Sequence, residues 1–291
     1  MKRLIINADD FGLSPGVNRG ILEAFQKGVL TSTTMLVNLD HFAESVAIAK
    51  AHPELPVGIH LSLLWGRPVS PPESVPTLVS EDGTFPSDLT VLARRYYTGW
   101  LSLAEVRAEF AAQVRKLLAA GITPTHADSH KHIHCLPGIM RQIASVAREQ
   151  GIERVRYPSE RKLRSRMNGA TQNGALAPHV SWRGRSKSAL IRFLARNHRS
   201  ILAAAGLRTT DHFVGIAQAG AGDPDALRFV FEHLEEGVTE LMCHAGYTDE
   251  AANRYSRRPP QRDRELAALL DARTREALRR CDVTLISYRD L

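Results

Sequence analysis

Short apolar runs alternate with longer stretches of helical periodicity along the whole chain. Several of the helical stretches end in glycine just before the next apolar run, and glycine readily ends a helix. This order of strand, loop and helix is typical of βαβ units joined by right-handed crossovers. The apolar runs give eight candidate strands, at 3–8, 30–38, 56–61, 124–128, 152–157, 211–216, 238–243 and 282–287.

Eight such units predict an α/β fold, namely a TIM-like (β/α) barrel or a distorted relative of it. We expect a single domain over residues 1–291, since barrels of this kind need about 250 residues. An open doubly wound sheet is the alternative. The phosphate-binding motifs G-x-G-x-x-G and G-x-x-x-x-G-K-[ST] do not occur, which disfavours a nucleotide-binding version of that sheet.

Two segments interrupt the alternation. Residues 62–101 are rich in proline and aromatic residues. An unstructured stretch of that length would be unusual, so we expect a folded loop excursion over the barrel mouth that serves as a lid or as a homodimer contact. The second segment is a basic insertion at 158–205, whose later part, 186–205, has the apolar spacing of an amphipathic helix with arginine on its other face.

Positive charge is concentrated in one part of the chain. The net charge is +7, but residues 154–199 hold twelve Lys and Arg against one acid, Glu160, so the remainder is slightly acidic. The composition is that of a globular protein, and no apolar run resembles a membrane span or a signal peptide. Three cysteines without C-x-x-C spacing indicate neither a disulfide framework nor a zinc ribbon. We therefore expect a cytoplasmic protein.

Side chains suited to metal binding and proton transfer stand at the carboxyl ends of four candidate strands. The first strand stops at Asp9 and Asp10, the third ends at His60, and the seventh ends at His244. The fourth leads into the most polar stretch of the chain, 125–134, which contains four histidines. In a barrel all these ends converge on one site.

One carboxylate and two imidazoles from three strand ends form a facial metal site that leaves positions for water and substrate, as catalytic sites do. We assign Asp10, His60 and His130 as ligands and Asp9 as the base beside the metal. Spacing alone does not choose among the histidines after the fourth strand. The residues whose roles stay open are His126, Asp128, His132 and His134.

Four blocks of sequence resemble the signature blocks of the YdjC-like carbohydrate deacetylases. They are residues 7–12 (NADDFG), 58–61 (GIHL), 125–130 (THADSH) and 241–247 (LMCHAGY). Within that family the chain is most similar to the members associated with hopanoid biosynthesis, and more distantly to chitooligosaccharide deacetylases. Two positions depart from the pattern of the latter, Lys131 in place of a histidine and Ala245 in place of a proline, and they bear on the substrate more than on the chemistry.

The resemblance implies one divalent metal ion, Mg²⁺ or Zn²⁺, held by Asp10, His60 and His130. It also implies that Asp9 is the base and His244 the general acid in hydrolysis of an N-acetylated amino sugar, with release of acetate. The implied substrate is an oligosaccharide or a glucosaminyl headgroup on a hopanoid lipid. For a lipid-linked substrate, the basic segment 186–205 would make peripheral contact with an anionic membrane.

Two other functions are compatible with parts of the sequence. A metal-dependent phosphoesterase would use the same ligand types, and it would release phosphate instead of acetate. A protein that binds nucleic acid or another anionic surface would use the basic segment and would show steep salt dependence. The segment lacks the interleaved aromatic residues of known nucleic-acid readers, so we expect no nucleic-acid partner.

Overall fold

The computed structural model describes residues 1–160, 182–217, 222–255 and 259–291. Its strands are β1 (Lys2–Phe11), β2 (Ser32–Met35), β3 (Val57–Leu61), β4 (Ala127–Ser129), β5 (His212–Val214), β6 (Gly237–Cys243) and β7 (Val283–Leu285). Its α-helices are α1 (Pro15–Lys27), α2 (Phe42–Ala51), α3 (Leu89–Tyr97), α4 (Leu103–Ala119), α5 (Ile139–Glu149), α6 (Trp182–Leu194), α7 (His198–Ala204), α8 (Pro224–Glu232), α9 (Glu250–Tyr255), α10 (Pro259–Leu270) and α11 (Ala272–Arg280).

The strands form one parallel sheet with β1 at its centre. Six of them follow the order β4-β3-β2-β1-β6-β5, and β7 pairs with the first half of β1, below β2. Single parallel bridges at Val155 and Glu160 join the region between the edge strands β4 and β5. The sheet therefore curls towards closure, and apolar side chains of its strands and of the surrounding helices form one large buried core.

The predicted α/β barrel fold is confirmed, in its distorted form. Seven of the eight candidate strands are strands, although several are shorter than predicted. The prediction of a strand at 152–157 was wrong, because this segment makes isolated bridges to Ala127 and Arg208 instead of a continuous ladder. Its neighbour β4 is only three residues long, which leaves little edge for a ladder to follow.

The excursion 62–101 is folded and anchored to α4. It contains a 3₁₀ turn at Pro72–Ser74 and helix α3. Glu109, fully buried on α4, accepts hydrogen bonds from the backbone nitrogens of Val69 and Ser70 at 2.9 Å each. These charge-assisted bonds fix the start of the excursion, since a buried carboxylate is costly without such donors.

The basic insertion is described only in part, because its residues 161–181 lie outside the described residues. The predicted helical segment 186–205 falls on α6, a short 3₁₀ turn and α7. Ile191, Ala195 and Leu202 are buried, whereas Leu190 and Phe193 are 57% and 60% exposed. The apolar residues of this segment are thus divided between the core and the surface. Among the described residues, no helix has both the length and the apolar character needed to cross a membrane.

Candidate metal centre

The two carboxylates that end β1 point into the barrel. Asp9 and Asp10 are only 3% and 2% exposed. Asp10 has a φ of +73°, a left-handed conformation that aspartate tolerates better than most residues. This turn of the backbone breaks the strict alternation of the strand, so that both side chains can serve one site.

Asp10 lies between the two predicted ligand histidines. Its Oδ1 is 3.0 Å from His130 Nδ1 and 3.4 Å from His60 Nε2. Each of the three residues offers one donor atom, and these atoms lie within 4.8 Å of one another. The structure therefore brings together the three side chains that the sequence pattern selected, in a spacing that could hold one ion.

The chemistry of these donors also fits a divalent cation. Burial lowers the pKa of His130 to about 4, so its imidazole is neutral and able to act as a ligand. Its Nε2 is buried and has no partner among the described residues. His60 Nδ1 is 2.6 Å from Asp128, the carboxylate–histidine contact that orients metal-binding imidazoles.

His60 is held among carboxylates. Burial disfavours its charged form, but Asp128 and Asp10 outweigh burial and raise its pKa to about 10. Thr34 Oγ1 lies 3.2 Å from His60 Nδ1 and donates to Asp128 at 3.2 Å. Asp128, whose role the sequence left open, therefore fixes the orientation of the His60 ring.

Asp9 is held by the fully buried guanidinium of Arg156. Nη1 and Nη2 donate to its two carboxylate oxygens at 2.9 and 2.7 Å, and the Asn7 amide donates at 3.0 Å. Burial alone would raise the pKa of Asp9, but the charge and hydrogen bonds of Arg156, together with the charges of His60 and His244, keep that pKa well below its usual range. Asp9 is therefore ionised and fixed in orientation.

Arg156 also neutralises two more carboxylates in the interior. Nε donates to Glu240 on β6 at 2.8 Å, and Nη1 is 2.5 Å from Asp128. The second oxygen of Glu240 accepts from the hydroxyl of Tyr288 at 2.5 Å. One arginine thus supports three acids: the base Asp9, Asp128 beside His60, and Glu240 on β6, the neighbour of β1.

His244 follows β6, is partly buried, and lies within range of a charge interaction with Asp9. Its positive charge, when it is protonated, acts on Asp9 and lowers the pKa of that carboxyl. Its backbone nitrogen donates to Glu265 of α10 at 2.6 Å. The structure therefore places all five predicted site residues around one region at the carboxyl end of the sheet.

The other histidines of 125–134 do not join the three-residue donor groups found among the described residues. His126 stacks on Tyr288 with ring centroids 3.6 Å apart, and His134 Nδ1 contacts the hydroxyl of Ser129. Burial lowers the pKa of both imidazoles well below the usual value, so they are neutral. His132 packs edge-on against Phe213.

An aromatic side chain lies against the ring of His130. Trp65, with a centroid 4.3 Å from the His130 ring, is followed outward by Tyr255, 5.5 Å from Trp65. The ammonium of Lys131 sits 4.8 Å over the Trp65 ring. These side chains form one wall beside the donor atoms.

Comparison with known proteins decides the family. A family model described as "YdjC-like protein" matches residues 3–280. The chain belongs to the YdjC-like family. It is 35% identical over 289 residues to a carbohydrate deacetylase of Geobacillus stearothermophilus, covering 98% of this chain and 96% of that protein. It is 34% identical over 291 residues to a carbohydrate deacetylase of Brevibacillus brevis, covering 99% of each.

A solved structure has the same architecture along nearly its whole length. The crystal structure of a putative cellobiose-phosphate cleavage protein from Enterococcus faecalis V583 matches with a TM-score of 0.78 and 27% identity, covering 99% of this chain and 98% of that one. The family inferred from the four sequence blocks is confirmed. The links to hopanoid biosynthesis and to chitooligosaccharide deacetylases stay predictions.

Sequence reasoning missed two cations of this YdjC-like site, Arg156 and Arg262. Arg262, on α10, donates to Asp10 at 2.5 Å and is 7% exposed. Arg156 was counted as part of the basic segment, although it lies in the barrel interior. A charged residue between two apolar neighbours in a candidate strand is the available signal for Arg156, and Glu240 likewise is a charged residue within a candidate strand.

Proposed function

We propose that this YdjC-like protein is a metal-dependent carbohydrate deacetylase, which hydrolyses the N-acetyl group of an amino sugar and releases acetate. The observation that supports it is the buried group of Asp10, His60 and His130 with a second carboxylate, Asp9, beside it. The names of similar proteins along nearly the whole chain agree with this reaction.

Asp10, His60 and His130 would hold the ion. Two imidazoles and one carboxylate suit Zn²⁺ better than Mg²⁺, which prefers oxygen ligands, so of the two expected ions we favour Zn²⁺. When bound, such an ion supplies Lewis-acid chemistry, polarising a carbonyl group and making water more acidic.

Asp9 would accept the proton of the attacking water. Arg156 and Asn7 fix both of its oxygens, so it needs no reorientation during the reaction. The same contacts keep it ionised across the working range of pH, at the cost of lower intrinsic basicity.

His244 would protonate the leaving amine, which otherwise departs as an unstable anion. Its charge, when it is protonated, interacts with that of Asp9, so acid and base belong to the same region of the site. Glu265 holds its backbone in place. A partly exposed histidine can also exchange its proton with solvent between turnovers.

The substrate would lie on the aromatic wall. The faces of sugar rings are apolar and pack well on aromatic side chains, and Trp65 lies next to His130. Lys131 is at the rim of the same wall, which suits a polar or acidic group of the substrate.

A lipid-linked amino sugar, such as a glucosaminyl-hopanoid headgroup, is the substrate form that α6 favours. Trp182, Leu190 and Phe193 are between 57% and 67% exposed on this helix, next to several basic side chains. An exposed apolar face flanked by cations is typical of helices that lie on anionic membranes. Unchanged flotation of Leu190→Ser/Phe193→Ser with phosphatidylglycerol vesicles at low salt would contradict peripheral membrane contact.

Cytoplasmic location and a homodimer are further parts of the proposal. The three cysteines are free, as expected in a reducing compartment. Tyr97 and Trp100 of the excursion are 67% and 66% exposed, which makes that segment a surface suited to contact between two copies. Light scattering of Trp100→Ser beside the wild type would test the contact.

An acetate-release assay tests the reaction. The metal-stripped enzyme is reconstituted with Zn²⁺ and supplied with N-acetylglucosamine oligosaccharides. We expect Asp9→Asn to bind Zn²⁺ normally and to lose roughly 10²–10⁴-fold in kcat, the usual contribution of a general base. Asp82→Asn, in an exposed turn, is the matched control.

Full activity of metal-loaded Asp9→Asn would show that Asp9 is not the base. Phosphate release from a phosphomonoester, without acetate release from any acetylated sugar, would favour the phosphoesterase alternative. Salt-sensitive binding of DNA that is indifferent to Asp9 would favour the nucleic-acid alternative.

A further inference from the structure

Arg262 is a buried cation in direct contact with a proposed metal ligand. It lies in the first turns of α10, and its Nη2 donates to Oδ2 of Asp10 at 2.5 Å. Arg262 is only 7% exposed, so its charge lies in the interior beside that carboxylate. A divalent cation bound to Asp10 would therefore share this carboxylate with the guanidinium of Arg262.

The two oxygens of Asp10 have different partners. Oδ1 faces the nitrogens of His130 and His60, whereas Oδ2 faces Arg262. A carboxylate can bind a metal through one oxygen or through both. With Oδ2 held by the guanidinium, only Oδ1 is directed at the histidines, which favours ligation through a single oxygen.

The other terminal nitrogen of Arg262 lacks an acceptor. Nη1 is buried and makes no hydrogen bond to the described residues. A buried N–H group without a partner is destabilising by about 1–3 kcal/mol, and such groups in native structures often mark a ligand site. Because Arg262 touches Asp10, an acceptor for Nη1 would come from a molecule bound at this centre.

Helix α10 is fixed to the site at further points. Glu265, one turn after Arg262, accepts from the backbone nitrogen of His244, and Asp263 accepts from that of Thr248 at 3.2 Å. Both bonds tie α10 to the loop that follows β6. The guanidinium is therefore carried by a helix with a set position, and it does not depend on a mobile side chain at the surface.

We propose that Arg262 limits Asp10 to one-oxygen ligation and offers Nη1 to an oxygen of the acyl group, both in the substrate and in the acetate product. The proposal rests on the proposed function for the identity of the acyl group. The one-oxygen ligation of Asp10 concerns only the protein and the ion, so it does not depend on that function. A guanidinium suits this double role because its planar fork can bind two oxygens at once.

The proposal predicts that removal of Arg262 changes metal affinity in the opposite direction to removal of a residue that only supports the fold. Removing a cation next to the ion relieves like-charge repulsion and frees Oδ2 as a second ligand atom. Both changes should tighten metal binding, by roughly tenfold or more for charges this close. A residue that only supported the fold would, when removed, weaken metal binding.

The test compares Arg262→Met, Arg262→Lys and the matched control Arg264→Met, whose side chain is exposed on the same helix. Zn²⁺ binding to the metal-stripped proteins is measured by calorimetry against a competing chelator. We expect Arg262→Met to bind Zn²⁺ at least about tenfold more tightly, and Arg262→Lys, which keeps the charge, to stay within about threefold of the wild type. The control should not change.

Sodium acetate is then titrated into the Zn²⁺-loaded proteins, and kcat and KM for acetate release are measured separately. We expect both Arg262 variants to bind acetate roughly tenfold more weakly and to lose kcat, since neither keeps the fork. Unchanged or weaker Zn²⁺ binding in Arg262→Met would overturn the ligation half, and unchanged acetate binding would overturn the Nη1 half. Absence of acetate release by the wild type would instead reject the proposed function and leave the Zn²⁺ result standing.

Discussion

Replacing Arg156 by methionine should destabilise the fold more than any conservative change in its apolar core. The side chain is fully buried, and its guanidinium contacts Asp9, Asp128 and Glu240 at 2.5–2.9 Å. Methionine has a similar length but no charge, so three carboxylates would lose their shared counterion. Removing one partner of a buried ion pair typically costs about 3–5 kcal/mol.

Because one cation serves three acids here, we expect the upper end of that range, about 5 kcal/mol, which approaches the whole stability of many domains. Arg156→Lys should cost less, about 2–3 kcal/mol, since it keeps the charge but loses the fork that spans the three acids. If Arg156→Met fails to fold, the lysine variant still reports on the same contacts.

The assay is urea unfolding followed by circular dichroism, with a chelator present so that no metal offsets the missing charge. The sign of the pH dependence is a second readout. Carboxylates left without a counterion have raised pKa values in the folded state, so the folded variant takes up protons as the pH falls. The deficit of Arg156→Met should therefore shrink between pH 8 and pH 5.

A double substitution checks the electrostatic origin of the loss. Glu240→Gln removes one of the three acids, so adding it to Arg156→Met should recover part of the stability, about 1–2 kcal/mol beyond additivity. A deficit below about 1 kcal/mol at pH 8, or one that does not change with pH, would refute the reasoning.

Two further changes test the packing around the site and its pH limits. Gly58→Ala should cost about 3 kcal/mol in urea unfolding, because its Cβ would lie 2.5 Å from the His126 ring and 2.8 Å from its carbonyl oxygen. Gly99→Ala, which meets no atom within 4 Å, should cost only about 1 kcal/mol for its positive φ. Burial lowers the pKa of His198 to about 4 from 6.5, so its contribution to stability is complete above pH 6.5 and declines as the pH falls towards 4. Between pH 7 and pH 5 the unfolding free energy of His198→Gln should therefore fall by about 1–2 kcal/mol less than that of the wild type.

The sequence correctly predicted those strands and site residues that a pattern within one short segment reveals. The strand at 238–243 is observed as β6, Gly237–Cys243, since its apolar residues pack against β1 on one side and β5 on the other. The two aspartates that end β1 and the histidine of β3 were identified because charge and imidazole are unusual in buried strands. The immediate sequence neighbours of these residues are enough to predict that they belong to a site.

What the sequence did not predict depends on contacts between distant residues. Arg262 meets Asp10 across 252 positions, and nothing in the helix pattern around Arg262 distinguishes it from the exposed arginine two residues later. The failure of a continuous strand at 152–157 has the same origin, because a ladder needs a partner edge of matching length. A sequence pattern describes one segment. The contact of Arg262 with Asp10 and the pairing of 152–157 depend instead on which residues lie beside the segment in the folded protein.

The position of β1 at the centre of the sheet has a consequence for how the chain folds. This strand ends at Phe11, but its neighbour β6 ends at Cys243, so one of its edges stays unpaired until more than 230 further residues have been made. At usual synthesis rates that interval is roughly 10–50 s. During it an apolar strand with an open edge is exposed to other chains, the situation in which strands add to one another and aggregate. From the order of the strands we therefore expect newly synthesised protein to depend on chaperones more than its finished core would suggest.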